Sequence, residues 1–314
     1  GSVTNRGLID GQETVIVTGS LTNLGSGRLY GDHLALSAGT LTNDVETGTA
    51  PIIAARSRLD IGAGTLNNRE GALIFSAGDM AIGGSLDANR QATGQADSLN
   101  NTSASIEALG SLNLAARQIT NSNAHFSTTV DSSSVAILEY QGSGSATRYV
   151  IPTPGVETFI DESLHLRTPE SPNYDTWYAY QYTRTTTDTR ILSSTPARIT
   201  SGGAMRLAAD TLLNDKSQII AGGNLNAALG TLTNTEVAGE HTVTDVGTVT
   251  TYWRDKKKGR DSTGSSAASY TPAPTIQSIS LTPTQYLANT APTGSSTKID
   301  ALTSKALSQS AAGA

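Results

Sequence analysis

The fold is decided by a stretch with the sequence LNN at 99–101, SIEALGSLNLAA at 105–116 and ITN at 119–121. This stretch begins and ends on the same signature, an aliphatic residue two places before an asparagine. Between the signatures, small apolar and polar residues alternate, which is typical of strands with one face toward a core and one toward water. The unit recurs as LLN at 212–214, SQIIAGGNLNAA at 217–228 and LTN at 232–234. It is therefore one unit of a repeat.

Asparagines at the same place in each unit mark a nearly fixed period. Their spacings are 18, 20, 25, 33, 20, 93 and 20 residues, a period of about 20 that insertions lengthen. A period in this range is typical of a solenoid, and alternation without i, i+3, i+4 spacing favours strands over helices. We therefore predict an all-β fold, a right-handed parallel β-helix of about 20-residue coils with extra-helical β-rich insertions. The marker asparagines are Asn5, Asn23, Asn43, Asn68, Asn101, Asn121, Asn214 and Asn234.

Each coil is expected to bury Leu, Ile, Val and Ala and to turn its corners at Gly and Asn, which both tolerate positive φ angles. Stacked asparagine side chains can then hydrogen-bond from coil to coil and satisfy backbone groups that the corners would otherwise bury unpaired. The composition fits such a narrow aliphatic core, because only 5% of the 314 residues are aromatic while 31 are glycine.

Charge and composition exclude several classes of function. The net charge of -6 argues against broad nucleic-acid binding, which needs a basic surface. The absence of cysteine excludes disulfides, thiol nucleophiles and cysteine-ligated metals. The sequence contains no run of about 18 apolar residues, so it predicts no membrane span.

The repeat pattern divides the chain into five segments. The repeat resumes directly after the first long interruption, which indicates a segment inserted into the solenoid and not a domain boundary. Within the second interruption, Ile276–Leu287 is expected to supply strands for one more partial coil. The predicted segments are β-helix repeats at 1–121 and 199–234, an extra-helical aromatic-rich insertion at 122–198, a second extrusion with a basic tip at 235–288, and a linker or weakly ordered tail at 289–314.

The first insertion carries nine of the fifteen aromatic residues of the chain. Glycine and serine between residues 141 and 147 predict a β-hairpin, and the alternation from Trp177 to Leu192 predicts a long, half-exposed strand. A short helix is expected around Glu157–Arg167, with an ordinary exposed face as the alternative to a cation site. The side chains that would share this face, and that could bind a cation there, are Glu157, Asp161, Glu162 and His165.

Aromatic and basic side chains in the two interruptions are candidates for binding a partner. Tyr and Trp supply large contact areas at low entropic cost and dominate interface hot spots. The alternative is that the aromatic residues form the insertion's own small core. The lysine-rich tip could meet an acidic surface such as lipopolysaccharide phosphates, or be a solvated hairpin tip. The candidates are Tyr174, Trp177, Tyr178, Tyr180, Tyr182, Arg184, Tyr252, Trp253, Lys256, Lys257, Lys258 and Arg260.

Acidic residues in the repeats are predicted to be solvated corner residues. Parallel β-helices also carry polysaccharide-cleaving sites, which need clustered carboxylates beside an arginine or lysine. Here no coil supplies a carboxylate pair at short spacing, so no catalytic residue, cofactor or metal ligand is assigned. A cleft lined by acids and an arginine on one flank would favour such an enzyme. The acids are Asp10, Asp32, Asp60, Asp79, Asp87, Asp210 and Asp215.

Three units of the repeat have the form Gly-Thr-Leu-x-Asn, at 39–43, 64–68 and 230–234. Each is paired with a strand of the type Ile-x-Ala-x-Gly-x-Leu, and together they resemble filamentous haemagglutinin repeats over roughly Val3–Asn121 and Ile199–Asn234. Such repeats build the β-helical stalks of two-partner secretion exoproteins, which include adhesins and the CdiA-type effectors of contact-dependent growth inhibition. The two interruptions are similar to the non-repeat portions near the middle of CdiA-type stalks, where a receptor-binding region lies.

The resemblance implies a function without catalysis. It predicts a stalk and receptor-recognition segment of a secreted exoprotein on the surface of a Gram-negative bacterium, used for contact with a neighbouring cell and for toxin delivery. The implied partners are an outer-membrane protein or lipopolysaccharide on the target bacterium, and an outer-membrane transporter during secretion through parts outside this sequence. The chain itself is expected to be a monomer that binds no nucleic acid and no cofactor. The alternatives are a host- or biofilm-directed filamentous adhesin, a polysaccharide-cleaving parallel β-helix enzyme, and a purely structural spacer.

Overall fold

A computed structural model describes residues 1–281 of the chain. These residues are all-β, with 73% of them in strands and none in a helix. They form two compact units: unit 1 contains Gly1–Ser127 and Ile191–Val237, and unit 2 contains Thr128–Arg190 and Ala238–Ser280. Unit 2 is thus built from the two segments of chain that interrupt unit 1.

The strands follow one another along the described chain without any helix between them. The first group is β1 (Ser2–Asn5), β2 (Leu8–Leu24), β3 (Arg28–Asp44), β4 (Ile52–Arg69), β5 (Leu73–Ser76), β6 (Asp79–Gly83), β7 (Ser85–Leu86), β8 (Ala92–Thr93), β9 (Ala96–Thr102), β10 (Ser105–Ala108) and β11 (Leu112–Ser122). The first interruption holds β12 (Ser127–Gly142), β13 (Tyr149–Val150), β14 (Glu157–Asp161), β15 (Ser163–Thr168), β16 (Ser171–Tyr174) and β17 (Trp177–Ser193). The chain then continues with β18 (Arg198–Ser201), β19 (Met205–Asp215), β20 (Gln218–Ala221), β21 (Leu225–Thr235), β22 (Val237–Asp255), β23 (Ser262–Tyr270) and β24 (Thr275–Leu281).

Unit 1 is a right-handed parallel β-solenoid with coils of about 21 residues, which confirms the predicted fold class. Its strands pair in parallel with the neighbouring coil, as where β2 pairs with β3 from Leu8↔Arg28 to Leu24↔Asp44. Strand β4 then pairs with the three shorter strands β5, β6 and β9. The next coil is divided into these strands by a turn after β5 and by a longer segment that contains β7 and β8. Equivalent residues of the repeat therefore occupy the same place in successive coils.

The core of unit 1 is a narrow column of aliphatic side chains. The residue two places before each marker asparagine stacks on its equivalent in the next coil: Leu21 on Leu41, Leu41 on Leu66 and Leu66 on Leu99. All four leucines are fully buried. Because the same side chain fills the same position in each coil, close packing is reached without large aromatic residues.

The marker asparagines form a continuous hydrogen-bonded ladder. From Asn5 to Asn234, each Nδ2 donates to the Oδ1 of the asparagine in the next coil at 2.7–2.9 Å. The same Nδ2 groups donate to backbone carbonyls at the corners, as Asn101 does to Ala104 and Arg198. The predicted bonding between coils is confirmed, and it pairs polar groups that are buried from water.

Unit 2 contains a six-stranded sheet in the order β13-β12-β17-β22-β23, with β24 also paired to β22. The antiparallel pairing of β17 with β22 runs from Trp177↔Tyr252 to Asp188↔His241 and joins the two interrupting segments. This corrects the prediction of two separate extrusions at 122–198 and 235–288. The alternation in each segment indicates a strand, but it does not specify which distant strand will be its partner.

The end of the described chain also differs from the sequence expectation. Thr275–Leu281 pairs with β22, so the described part of Ile276–Leu287 adds to this sheet and forms no partial coil. The rest of that segment, and the expected linker or tail at 289–314, lie outside the described residues.

The segment around Glu157–Arg167 is an antiparallel strand pair and not the predicted helix. In β14 and β15, Glu157 lies opposite Arg167 and Phe159 lies opposite His165, with Glu162 at the turn at a φ of 60°. The Phe159 and His165 rings stack with centroids 5.4 Å apart, and cross-strand contacts of this kind stabilise the pair. The acidic side chains therefore share no helical face. Nowhere in residues 1–281 do three or more His, Asp or Glu side chains form a group that could hold a metal ion.

Candidate recognition surface

One side of the unit 2 sheet carries a row of tyrosines. Alternate residues of a strand share a side, so Tyr178, Tyr180 and Tyr182 of β17 lie together. The register places Tyr182 opposite Gly247 of β22, and Gly247 opposite Tyr270 of β23, which adds a fourth ring. We call this side of the sheet the tyrosine face.

Gly247 allows Tyr182 and Tyr270 to approach each other. A Cβ at this position would lie 2.2 Å from the Gln181 carbonyl oxygen and 2.4 Å from the Tyr182 Cα, so only glycine fits. The ring centroids of Tyr182 and Tyr270 are 5.1 Å apart. Tyr182 is only 4% exposed, and burial raises the pKa of its hydroxyl to about 12. Tyr182 therefore belongs to the core of unit 2, which corrects its assignment as a partner-binding residue.

An arginine that sequence reasoning missed lies over the accessible tyrosines. The Arg148 guanidinium is 3.8 Å from the ring centroid of Tyr180 and donates a hydrogen bond to the Tyr270 hydroxyl at 2.8 Å. Tyr180 donates to the side-chain oxygen of Gln141 at 3.0 Å. Tyr178, Tyr180 and Tyr270 are half-exposed and Arg148 is exposed. We call these four residues the aromatic patch, and cation–π and hydrogen-bond contacts hold Arg148, Tyr180 and Tyr270 in one geometry before any partner binds.

Next to the aromatic patch on the tyrosine face, Arg184 and Asp245 form a two-pronged ion pair. Arg184 donates from Nε and from Nη2 to the two carboxylate oxygens of Asp245, both at 2.8 Å. These hydrogen bonds lower the pKa of Asp245 and raise the pKa of Arg184. The Arg184 side chain is 41% exposed and the Asp245 side chain 9%. The pair thus ties β17 to β22 while one edge of the guanidinium stays accessible to solvent.

The opposite side of the sheet contributes to the core of unit 2. Trp177 is 2% exposed, stacks on Tyr252 with centroids 4.4 Å apart, and donates its indole N–H to the Leu164 carbonyl at 3.2 Å. Tyr174 packs against Gly142, where a Cβ would lie 2.3 Å from the tyrosine ring. The structure corrects the assignment of Trp177 as a partner-binding residue, and Tyr174 and Tyr252 have packing roles.

The turn between β22 and β23 carries the lysine-rich segment, which we call the basic tip. Lys256 forms an ion pair with Asp175 at 2.8 Å. Trp253 is half-exposed and lies opposite Gly264, whose missing side chain leaves room for the indole ring. Within residues 1–281, the exposed cations of this tip that form no ion pair are Lys257, Lys258 and Arg260.

The aromatic patch draws its residues from three separate parts of the chain. Arg148 follows the predicted hairpin turn, and Tyr270 ends the small-residue run SSAASY at 265–270. Neither residue carries a sequence signal that links it to Tyr180, because only the pairing of β13, β12, β17, β22 and β23 in one sheet brings them together. The register of that sheet is the information that sequence reasoning lacked.

Acidic residues on one flank of unit 1 are paired with arginines. Arg56 donates to Asp10 at 2.6 Å and to Asp32 at 3.1 Å, and the contact with Arg56 lowers the pKa of Asp10. Asp60 is fully buried and accepts a hydrogen bond from Arg58 Nε at 2.6 Å. The prediction of solvated corner residues is therefore wrong for Asp60, which lies inside β4 beside its arginine.

None of the residues that the structure describes lies in a helix long and apolar enough to cross a lipid bilayer. Comparisons of this chain with protein-family models, with curated proteins and with solved structures gave no match. The candidate function is therefore argued from the repeat and from the geometry of the two units.

Proposed function

We propose that this chain is a non-catalytic stalk and receptor-recognition segment of a secreted bacterial surface exoprotein that contacts a neighbouring cell. The closest functional description is the CdiA-like filament of contact-dependent growth inhibition, whose stalk is built from filamentous haemagglutinin repeats. The proposed partner is an outer-membrane protein or lipopolysaccharide of a target bacterium. Secretion would use an outer-membrane transporter, and the segment would act outside the cell as a monomer.

The regular solenoid of unit 1 supports the stalk part of the proposal. Its coils are joined by parallel strand pairing, by a buried leucine column and by the asparagine ladder. Each of these contacts is made between neighbouring coils and repeats along the unit. Such a structure gains length by adding coils without needing a larger core, which is the property that a stalk requires.

The aromatic patch of unit 2 is the observation that carries the recognition part. Half-exposed tyrosines that are fixed by neighbouring contacts bind with little loss of conformational freedom. Exposed Lys257 and Lys258 add positive charge that would attract phosphate-rich or acidic surfaces. The aromatic patch and the basic tip both lie in the segments that interrupt the repeat. These segments would therefore supply the contact with the receptor.

Binding to whole bacteria tests this proposal. Fluorescently labelled full chain would be incubated with a panel of Gram-negative cells and with vesicles that contain purified lipopolysaccharide. Since β17 and β22 pair across both interruptions, unit 2 must be removed as a whole, by replacing Thr128–Arg190 and Ala238–Ser280 with short glycine-serine links. The matched point variants are Tyr178→Ala in the aromatic patch and Thr183→Ala at an exposed position on the opposite side of β17.

The proposal expects bound fluorescence on at least one bacterial strain, lost on removal of unit 2 and reduced at least tenfold by Tyr178→Ala. The Thr183→Ala variant should bind as the unaltered chain does. Unchanged binding after removal of unit 2 would contradict the recognition role and favour a purely structural spacer. Binding to host cells or biofilm matrix, but to no bacterial surface, would favour the filamentous adhesin.

A polysaccharide-cleaving enzyme is the second candidate, because Asp10, Asp32 and Arg56 meet on one flank of unit 1. A general acid at neutral pH needs a raised pKa, whereas the contact with Arg56 lowers the pKa of Asp10. This shift argues against Asp10 as the general acid of such a site. Release of new reducing ends from a polysaccharide panel, abolished by Asp32→Asn, would establish the enzyme instead.

A further inference from the structure

An outward-facing row on the solenoid of unit 1 contains two aromatic residues with a gap between them. The register places Tyr30 of β3 opposite Ala54 of β4, and Ala54 opposite Phe75 of β5. Their neighbours Leu29, Ile53 and Ile74 point into the core and are fully buried, so the row itself faces outward. Tyr30, Ala54 and Phe75 are half-exposed. We call the space over Ala54 between the two rings the ring slot.

Strand spacing sets the width of the ring slot. Neighbouring strands lie about 4.8 Å apart, so side chains two coils apart are separated by about 9.6 Å. A flat aromatic ring in van der Waals contact on both faces needs only about 7–8 Å, from about 3.5–4.0 Å on each side. A puckered ring with C–H groups on both faces is thicker and fills the wider gap. The depression at this place has a volume of about 300 Å³ and is lined by Tyr30, Ala54, Ala55, Arg56, Phe75 and Ala77.

A polar clamp lies at the edge of the ring slot. Arg56 follows two residues after Ala54 and reaches back to Asp10 and Asp32, at 2.6 and 3.1 Å. Asp10 lies opposite Tyr30 on the side of that ring away from Ala54, and of the three clamp residues only Arg56 lines the depression. The Arg56 side chain is 53% exposed and the two aspartates are 34% and 45% exposed. Arg56 therefore offers hydrogen-bond donors to a ligand in the slot, and the two aspartates hold its guanidinium in place.

We propose that the ring slot, with the Arg56 clamp, binds a single pyranose ring of an oligosaccharide. The two aromatic faces carry negative partial charge and attract the C–H groups on the two sides of the sugar ring. The hydroxyl groups of a sugar accept hydrogen bonds as well as donate them, so a ring in the slot can accept from the exposed guanidinium of Arg56. A hydrocarbon side chain of a protein would accept no hydrogen bond from this guanidinium.

The ring slot is a second binding site, in unit 1, and it does not depend on the recognition surface proposed for unit 2. Failure of one proposal leaves the other standing, because the variants that test them lie in different units. A saccharide site on the stalk would let the protein hold cell-surface glycans along its own length.

Isothermal titration calorimetry of the full chain with defined probes tests the ring slot. The saccharide probes are cellohexaose, chitohexaose and the core oligosaccharide released from lipopolysaccharide, and indole serves as a flat aromatic probe. Ala54→Phe fills the slot with a third ring, whereas Phe75→Ala removes one wall. Ile220→Phe is the matched control, because Ile220 lies in the same outward row several coils away.

The proposal expects at least one of the three oligosaccharides to bind, with an affinity at least tenfold lower in both Ala54→Phe and Phe75→Ala. The Ile220→Phe control should keep the original affinity, and circular dichroism should show that every variant remains folded. Absence of binding by all three oligosaccharides at millimolar concentration would overturn the assignment. Full affinity in folded Ala54→Phe would also overturn it, as would binding of indole alone.

Discussion

Replacing Asn101 by alanine tests the asparagine ladder directly. Asn101 is fully buried; its Nδ2 donates to Asn121 Oδ1 at 2.8 Å and its Oδ1 accepts from Asn68 Nδ2 at 2.9 Å. The substitution removes both ladder bonds, each worth about 1 kcal/mol net, and leaves Asn121 Oδ1 buried without its donor, at about 1–3 kcal/mol. It also removes the donation to the Ala104 and Arg198 carbonyls. We expect the free energy of unfolding to fall by at least about 3 kcal/mol.

The neighbouring residue supplies a matched control for this experiment. Asn100 is half-exposed, and among the described residues its side-chain amide donates to Asn67 Oδ1 at 3.0 Å. Water can replace that bond, so Asn100→Ala should cost less than about 1 kcal/mol. Urea unfolding followed by circular dichroism gives both values, and amide exchange should show the loss concentrated in the coils on either side of Asn101. Equal costs for the two substitutions, or a cost below about 1 kcal/mol for Asn101→Ala, would refute the energetic role of the ladder.

Three further predictions concern unit 2. Gly247→Ala should destabilise unit 2 by about 1–3 kcal/mol, because the new Cβ would clash with the backbone of Gln181 and Tyr182. Urea unfolding measures this loss, and unchanged stability would show that β17 and β22 move apart freely. Because Arg184 lowers the pKa of Asp245, their pair stabilises the folded state above about pH 4, and this stabilisation should be lost as the pH falls through the lowered pKa. Asp245→Asn should therefore flatten the decline in melting temperature from about pH 5 down to about pH 2, and an unchanged decline would exclude this pair as its source. Burial raises the pKa of Tyr182 to about 12, so Tyr182→Phe should remove a late component from the ultraviolet titration of the tyrosines, and the stability of unit 2 should fall as the pH rises from 10 toward 12.

The solenoid could be predicted from sequence because each coil places equivalent residues in the same environment. Leu99 and Asn101 look like Leu66 and Asn68 in the sequence, and they occupy stacked positions in the structure. Once the period is known, the inward face and the corner follow for every unit. The repeat thus carries information about long-range contacts that an ordinary sequence lacks.

Unit 2 was harder to predict because its contacts join residues that no repeat relates. Trp177 and Tyr178 are adjacent and both aromatic, yet one is buried and the other is half-exposed. Which side of the strand faces the core depends on whether β14–β16 cover it, and the sequence had predicted a helix there. The burial of Asp60 could have been predicted from the sequence. Arg58 lies two residues before it, so the two side chains share one side of β4 and can form an ion pair that makes burial of the carboxylate possible.

The asparagine ladder gives the solenoid a direction. Every side-chain amide of the ladder donates its hydrogen bond to the asparagine of the next coil toward Asn234. The dipoles of these amide groups therefore point the same way and add. If one side-chain amide were rotated by 180°, its NH2 group would face the NH2 group of one neighbouring asparagine and its oxygen would face the oxygen of the other. A single rotated amide therefore loses the hydrogen bonds on both of its sides. A coil that joins at the Asn234 side must offer an oxygen, and one that joins at the Asn5 side must offer an N–H. Growth by stacking is therefore polar, and two such units could extend the ladder only head to tail.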